Sequence, residues 1–411
     1  MTAPAAAIPT VAIDVGTSKV AVLIGQTTPE GQMQVIGYGC KPAKGMKRGT
    51  VLNIESVAES IARAVQAAEH MANYKIHSGK VSLTGQHIQC VNSQGVASIR
   101  NREINESDLQ QVMETASALV LPSERMMLHV ISQDYVVDGQ EGVAEPPIGM
   151  SAMRLEGKVH IVTSLRAVNA NLEKCIDRCD LQSESLIFSP IASADVVLTL
   201  DERELGVALI DIGAGTTDLV IMKGGAPRHS AVIPVGGDLI TNDIAMGLRT
   251  PTPHAEYIKT HYGCALTELL DSDEVFEVMG IGNTTKHLVS RYNLCDIIRA
   301  RCEELLSFVA GELQKSGLAE ALPAGIVITG GGALLPGIRE LAEAALRMPV
   351  RLALMKNVEG LPESLQSPIF AAGYSLLLYG QKENPNLAPT QELPAWLRTV
   401  KTWFKDLKDS M

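Results

Sequence analysis

Two segments of the chain repeat one pattern of chemistry-bearing residues. Residues 11–25 read VAIDVGTSKVAVLIG and residues 209–224 read LIDIGAGTTDLVIMKG. Each is an apolar strand ending in Asp-x-Gly, then a hydroxyl-rich turn, then a second apolar strand. A phosphate needs several donors pointing inward. The backbone N–H groups of a tight glycine turn supply them, because no Cβ blocks close approach. Gly16, Thr17, Ser18 and Lys19 form one candidate cradle, and Gly213, Ala214, Gly215, Thr216 and Thr217 the other. Thr and Ser hydroxyls add hydrogen bonds, and Lys19 offers positive charge. Asp14 and Asp211 would repel a bare phosphate, so they call for a cation between them. Mg2+ with bound waters is the natural bridge, and through it the two carboxylates can order an attacking water. Asp218 either joins that shell or caps its turn. One such hairpin alone reads as an ordinary glycine turn. Two at matching places predict a triphosphate gripped between two lobes.

Further glycine turns extend the site. The strand 326–329 runs into Gly330, Gly331 and Gly332, followed by Ala333, where bare backbone can lie against a flat adenine and ribose. Glu256 and Lys259, three apart on one helical face, either contact the ribose or base or form a surface ion pair. Gly236, Gly237 and Asp238 open a helix, whose N-terminus either favours the phosphate anion or is simply capped there. No G-x-x-x-x-G-K-[ST] and no G-x-G-x-x-G at the second turn occurs, which excludes a P-loop ATPase and a dinucleotide fingerprint.

The elements that must position these residues alternate strand and helix, which predicts α/β layers. Strands are expected at 11–14, 20–25, 33–39 and 81–84, and a helix at 53–74 with apolar positions at helical spacing. Between 85 and 163 the rhythm changes to that of a small α+β module, with a strand at 96–100, a helix from Ser107 to Leu119, and extended stretches at 128–137 and 153–162. A helix at 169–179 follows. The second half opens at Leu205, with a strand at 231–235, helices at 239–247, 254–262 and 286–314, a strand at 326–329 and a last core helix at 369–379. The repeated hairpins imply a duplicated fold.

The 411 residues allow two to four compact units. Hydrophobic residues at 46% and charged residues at 20% exclude a disordered chain. The net charge of −11 argues against a general nucleic-acid binder, which needs a basic footprint. Seven scattered cysteines without C-x-x-C pairs fit reduced cytoplasmic thiols. The first nine residues lack the pattern of a secretory signal. The uncharged windows 321–338 and 364–381 are too glycine-rich or too short to span a membrane.

Both tryptophans fall in the last sixteen residues. Leu393, Trp396, Leu397, Val400, Trp403, Phe404 and Leu407 form one apolar stripe at helical spacing, with Pro394 suited to the first turn. Arg398, Lys401, Lys405 and Lys408 flank it against two acidic residues, while the rest of the chain holds 31 basic against 44 acidic side chains. A basic, Trp-bearing amphipathic helix has the signature of an interfacial anchor for anionic lipid; the alternative is a terminal helix docked on its own core, against which the proline-containing linker 382–392 would let the segment leave the body. One such helix binds reversibly. A polymer of many copies would hold firmly, so anchoring and assembly should be coupled.

The paired hairpins and the GGG turn resemble the actin, Hsp70 and sugar-kinase superfamily. Within it, HVISQDYVVDGQEG at 129–142, ITGGGALLPGI at 328–338 and the tethered basic helix resemble the FtsA family of bacterial actin-like division proteins. The likeness covers nearly the whole chain. It implies a duplicated, ribonuclease H-like two-lobe α/β fold with an inserted α+β subdomain and a C-terminal amphipathic helix. Subdomain 1A would comprise 1–84 with 166–200 and 366–381, 1C 85–165, 2A 205–235 with 311–356, and 2B 236–310. The family's members bind ATP with Mg2+, polymerise at the cytoplasmic face of the inner membrane at the division site, and receive the C-terminal tail of FtsZ on 2B. They engage other division proteins through 1C. Arg291, Arg299 and Arg301, on the run 286–304, are candidate partners for that acidic tail. The stretch matching the superfamily's water-orienting position, TSLRAVNANL at 163–172, holds neither Gln nor Glu, which implies slow hydrolysis at most. A small-molecule kinase on the same fold would need a general base beside its pocket, and none stands out. A pilus-assembly adaptor would share the nucleotide motifs but would not need the terminal helix. An Hsp70-type chaperone is disfavoured, because only linker and helix follow the second lobe.

Overall fold

A computed structural model describes residues 9–143, 145–282, 286–353, 355 and 362–379. The linker expected at 382–392 and the amphipathic helix expected at 393–411 lie outside the described residues.

Two five-stranded sheets of one topology form the two lobes. In the first the order is Gln182–Phe188, Ser78–Leu83, Thr10–Val15, Lys19–Thr27, Met33–Pro42; in the second it is Val350–Leu352, Ile326–Thr329, Val207–Ile212, Thr217–Lys223, Ala226–Ile233. In each sheet the central strand pairs antiparallel with the next strand of its hairpin and parallel with its other neighbour. The fold is therefore duplicated, as the repeated hairpins require. The central strands Thr10–Val15 and Val207–Ile212 are nearly all buried and read as continuous apolar runs, because layers cover both faces.

On the first sheet lies the helix Ile54–Ala72, whose N-terminus is fixed by Asn53 accepting the Ser56 N–H at 3.0 Å. Its Val57, Ile61 and Val65 are buried, each contributing about 1.5–3 kcal/mol of transfer free energy. The helix Ala371–Leu378 packs against both strands of the first hairpin. The inserted module is a four-stranded sheet, in the order Gln89–Ser98, Arg154–Leu165, Arg125–Val137, Gln140–Val143, with the helix Glu106–Ser117 packed on it. Asn105 and Asp108 form a capping box that starts that helix.

One expected element changes identity. Residues 286–290 belong to no helix: Lys286–Ser290 is a strand paired antiparallel with Val275–Met279, and the helix Arg291–Lys315 begins only after it. Three contacts enforce the break. The Ser290 hydroxyl accepts from the Asn293 N–H, the Arg291 N–H donates to the Glu274 carbonyl at 2.8 Å, and the Tyr292 N–H donates to Asp273 at 3.1 Å. Phe276 and Val278 alternate inward along the partner strand, the period-2 pattern of a half-buried pair.

Among the described residues, no helix is long and apolar enough to cross a membrane.

Candidate functional site

The two hairpins close in the same way. The Gly16 N–H donates to the Lys19 carbonyl and the Gly213 N–H to the Thr216 carbonyl, each at 2.9 Å. The pairing Val15↔Val20 matches Ile212↔Thr217, so Asp14 and Asp211 occupy one structural position in the two lobes. Within the turns, the N–H groups of Thr17, Ser18, Ala214 and Gly215 donate to no other group among the described residues. Unspent donors at corresponding places in two facing turns are what an anion requires.

The turns do face each other. A Cβ on Gly215 would lie 2.5 Å from Thr17 Oγ1 and 2.9 Å from the Arg48 backbone, so only glycine fits where the hairpins meet. A hydrogen bond crosses between the lobes here: Thr84 Oγ1 donates to Asp218 Oδ2 at 2.8 Å. Gly330 closes the third side. Its φ of +82° suits glycine, and a Cβ there would overlap Asp211 Oδ1 and come within 2.6 Å of the Ile212 carbonyl. Gly331 beside it is exposed and faces open space. Ala333 is buried in the second-lobe core.

Three carboxylates converge, and each is held differently. Asp14 accepts from Ser82 Oγ at 2.7 Å and pairs with Lys19 Nζ at 3.1 Å. Burial opposes the Lys19 charge, but Asp14 and Asp211 outweigh it and raise its pKa. Asp211 accepts no hydrogen bond among the described residues. Burial pushes its pKa up to about 6 from an ordinary 3.8, Lys19 pulling down and Asp14 adding to the rise. Asp218 is raised well above its ordinary value by burial and then by the charge of Asp211, with Thr84 and Thr216 pulling down, and its buried Oδ1 meets no hydrogen-bond geometry among the described residues.

These carboxyl groups fit a cation. Among the described residues no group of three or more His, Cys, Asp or Glu side chains could enclose a metal alone. A cation held here would take the rest of its oxygens from water and from a ligand, as Mg2+ does beside phosphate.

Other sequence candidates are spent within the protein. The Thr17 hydroxyl accepts the Gly49 N–H at 3.2 Å, and the Thr217 hydroxyl donates to the Val235 carbonyl at 2.8 Å. The N–H groups of Gly237 and Asp238 donate to the Gly213 and Ala214 carbonyls at 2.9 and 2.8 Å. Gly236–Asp238 thus braces the second hairpin from behind. Lys259 pairs with Glu256 at 2.7 Å and donates to Thr241 Oγ1 and the Gly237 carbonyl, so this pair also supports the turn. Ser82 and Thr84, which fix Asp14 and Asp218, were not singled out by sequence reasoning. Their only signal was a place at the end of a short strand beside the first hairpin.

The three candidate arginines Arg291, Arg299 and Arg301 are all paired. Arg291 bonds Glu274 at 2.9 Å and Arg299 bonds Glu303 at 2.9 Å, while Arg301 takes Asp243 at 2.5 and 3.0 Å and also Glu304.

Comparison with known proteins gives this geometry its family. A family model described as cell division protein FtsA matches residues 208–375, and one described as the SHS2 domain inserted in FTSA matches residues 85–163. The cell division protein FtsA of Pseudomonas aeruginosa is 47% identical over 379 residues, covering 92% of this chain and 91% of that one. That of Neisseria meningitidis is 42% identical over 96% of this chain and 97% of its own. The chain belongs to the FtsA family. FtsA proteins are actin-like cell division proteins, and the solved structures similar to this chain agree on the fold. A PilM–PilN type IV pilus biogenesis complex matches with a TM-score of 0.66 at 16% identity, over 91% of this chain and 99% of that one. MreB5 of Spiroplasma citri bound to ADP matches at 0.57 and 14%, over 92% and 98%. A MamK double helical filament matches at 0.54 and 14%, over 91% and 99%.

Proposed function

We propose that this FtsA-family chain binds Mg2+–ATP between its paired hairpins and uses it to favour a polymer at the cytoplasmic membrane. The carrying observation is the pair of facing turns, each with unspent N–H donors, beside the unbonded carboxylate of Asp211. The phosphates would take the N–H groups of Thr17, Ser18, Ala214 and Gly215. Asp14, Asp211 and Asp218 would hold the cation through water, and the bare Gly330–Gly332 backbone would face the nucleoside. Bound Mg2+ supplies charge neutralisation and a polarised water. The stretch 163–172 offers no Gln or Glu to orient that water. The helix Arg166–Asp177 opens with no side-chain cap, and its buried Asn169 already accepts from Ser164 Oγ at 2.5 Å. Slow hydrolysis at most follows, and nucleotide acts mainly by closing the lobes. A filament-forming actin-like neighbour supports self-assembly as the readout.

In this reading the stripe from Leu393 to Leu407, with its flanking cations, anchors each copy to anionic lipid, and polymerisation makes the attachment firm. The acidic tail of FtsZ binds the second lobe near Arg291, Arg299 and Arg301 by displacing their own acidic partners. Exposed Val275 and Leu288 offer apolar contacts there. Later division proteins engage the insert. The purified chain with anionic vesicles and ATP, and no phosphoacceptor, should form vesicle-bound filaments by electron microscopy. ATP consumption that depends on a small-molecule acceptor, without filaments, would replace this reading with a kinase.

A further inference from the structure

Where the insert meets the second lobe there is a cavity of about 490 Å3. That is the size of a small-molecule pocket, for which about 300–1,000 Å3 is typical. It lies apart from the hairpins, and its lining includes none of their residues. Leu119, Leu121 and Pro122 of the insert and Val232 of the second lobe give it apolar walls.

Arg125, on the insert wall, is the feature that the fold leaves unexplained. It is only 9% exposed. Its Nε and Nη2 donate to Thr163 Oγ1 at 3.1 and 3.0 Å, and Nη2 also donates to the carbonyls of Thr163 and His87 at 3.1 and 2.9 Å. Every one of these partners is neutral. Its Nη1 has no hydrogen bond among the described residues, yet it is not among the atoms sealed from solvent. A guanidinium buried with no carboxylate bonded to it is costly, and buried charges are ordinarily paired. Burial lowers the Arg125 pKa and outweighs Glu124, which favours the charge from nearby. Burial first, and then Arg125 itself, hold His87 down to about 4 and therefore neutral.

We propose that this cavity binds a small amphiphilic monoanion, its carboxylate on Arg125 Nη1 and its apolar body against Leu119, Leu121 and Val232. Charge-assisted bonding to a carboxylate supplies the partner that Arg125 lacks. Glu312, on the second-lobe wall, sets the limit on charge. It is held by Lys315 at 2.6 Å and lies 3.7 Å from His229, so a second anionic group on the ligand would face a carboxylate. A nucleotide triphosphate is excluded from this pocket on that ground. The ligand touches both the insert and the second lobe, so its binding steadies one on the other.

The test titrates the full chain with octanoate by calorimetry, with 1-octanol and octylammonium as neutral and cationic probes of matched length. Octanoate should bind saturably at one site, at least tenfold more tightly than octanol, with octylammonium silent. Arg125→Gln should weaken octanoate at least tenfold and leave octanol within about twofold. Leu121→Trp, which fills the cavity and leaves the bonds of Arg125 intact, should abolish octanoate binding even if the first variant fails to fold. Equal affinity for the three probes, no saturable octanoate binding at millimolar concentration, or octanoate binding that survives Leu121→Trp would overturn the proposal.

Discussion

Replacing Asp211 by asparagine should stabilise the unliganded protein at neutral pH and abolish its Mg2+-dependent nucleotide binding. The carboxylate accepts no hydrogen bond among the described residues, and burial raises its pKa from 3.8 to about 6. A folded pKa above the unfolded one means that the folded state favours the neutral acid. The penalty is absent below the unfolded value, grows as pH rises, and is complete once pH passes the folded value. At 1.36 kcal/mol per pKa unit, the penalty at pH 7.5 is on the order of 3 kcal/mol. Asparagine has the same shape and no charge, so Asp211→Asn removes that cost and also relieves Asp218, whose pKa the Asp211 charge raises. Urea unfolding of both proteins across pH 4 to 8 is the assay. Asp211→Asn should exceed wild type by about 1–3 kcal/mol at pH 7.5, and the two should converge near pH 4. The same titration predicts that wild-type affinity for Mg2+–ATP falls as pH drops below about 6, because the cation needs the ionised form. Equal or lower stability of Asp211→Asn at pH 7.5 would refute the claim that this carboxylate is held for a ligand at the fold's expense.

Three further outcomes follow. Gly330→Val forces a β-branched residue to φ +82° and drives a Cβ into Asp211 Oδ1, so it should cost roughly 1–3 kcal/mol in unfolding experiments and reduce nucleotide affinity at least tenfold. Asp134 of the insert pairs with Arg228 of the second lobe, while Gln133 donates to the Pro227 carbonyl at 2.7 Å and Asn92 to the Arg228 carbonyl at 2.8 Å. Arg228→Ala leaves Asp134 only Lys158 at 3.7 Å, so it should cost about 1–3 kcal/mol and speed hydrogen exchange in the strand Ala226–Ile233; unchanged exchange would mean that this joint does not hold the insert. Trp403→Glu should abolish co-sedimentation with anionic vesicles and leave nucleotide binding intact; sedimentation that persists would move the anchor elsewhere.

The central architecture was legible because one constraint wrote it twice. An apolar strand must end where Asp14 or Asp211 emerges, and a bare turn must follow, so the pattern survives in sequence. The helix Ile54–Ala72 was legible for a similar reason, since its buried Val57, Ile61 and Val65 recur on one face. Residues 286–290 misled because the apolar pair Leu288 and Val289 continues smoothly into helical spacing after Ser290. What separates strand from helix there is tertiary: the neighbouring strand Val275–Met279 and the backbone bond to Glu274. The candidate site shows the same division. Glycines and carboxylates announced themselves, but which donors are free did not. That depends on Lys19 turning to Asp14, on Thr17 meeting Gly49, and on the Gly236–Asp238 turn bonding behind the second hairpin. Arg125 gave no sequence signal, because an arginine in a strand is usually a solvated one.

The central claim is that the facing turns grip one nucleotide through a shared cation. A crystal of the full chain grown with Mg2+ and a non-hydrolysable ATP analogue tests it most directly. The phosphates should lie between Gly16–Lys19 and Gly213–Thr217, with a water-bridged cation among Asp14, Asp211 and Asp218 and the nucleoside against Gly330–Gly332. Density for the analogue outside this cleft, or for phosphates bound to one turn with the other withdrawn, would contradict it.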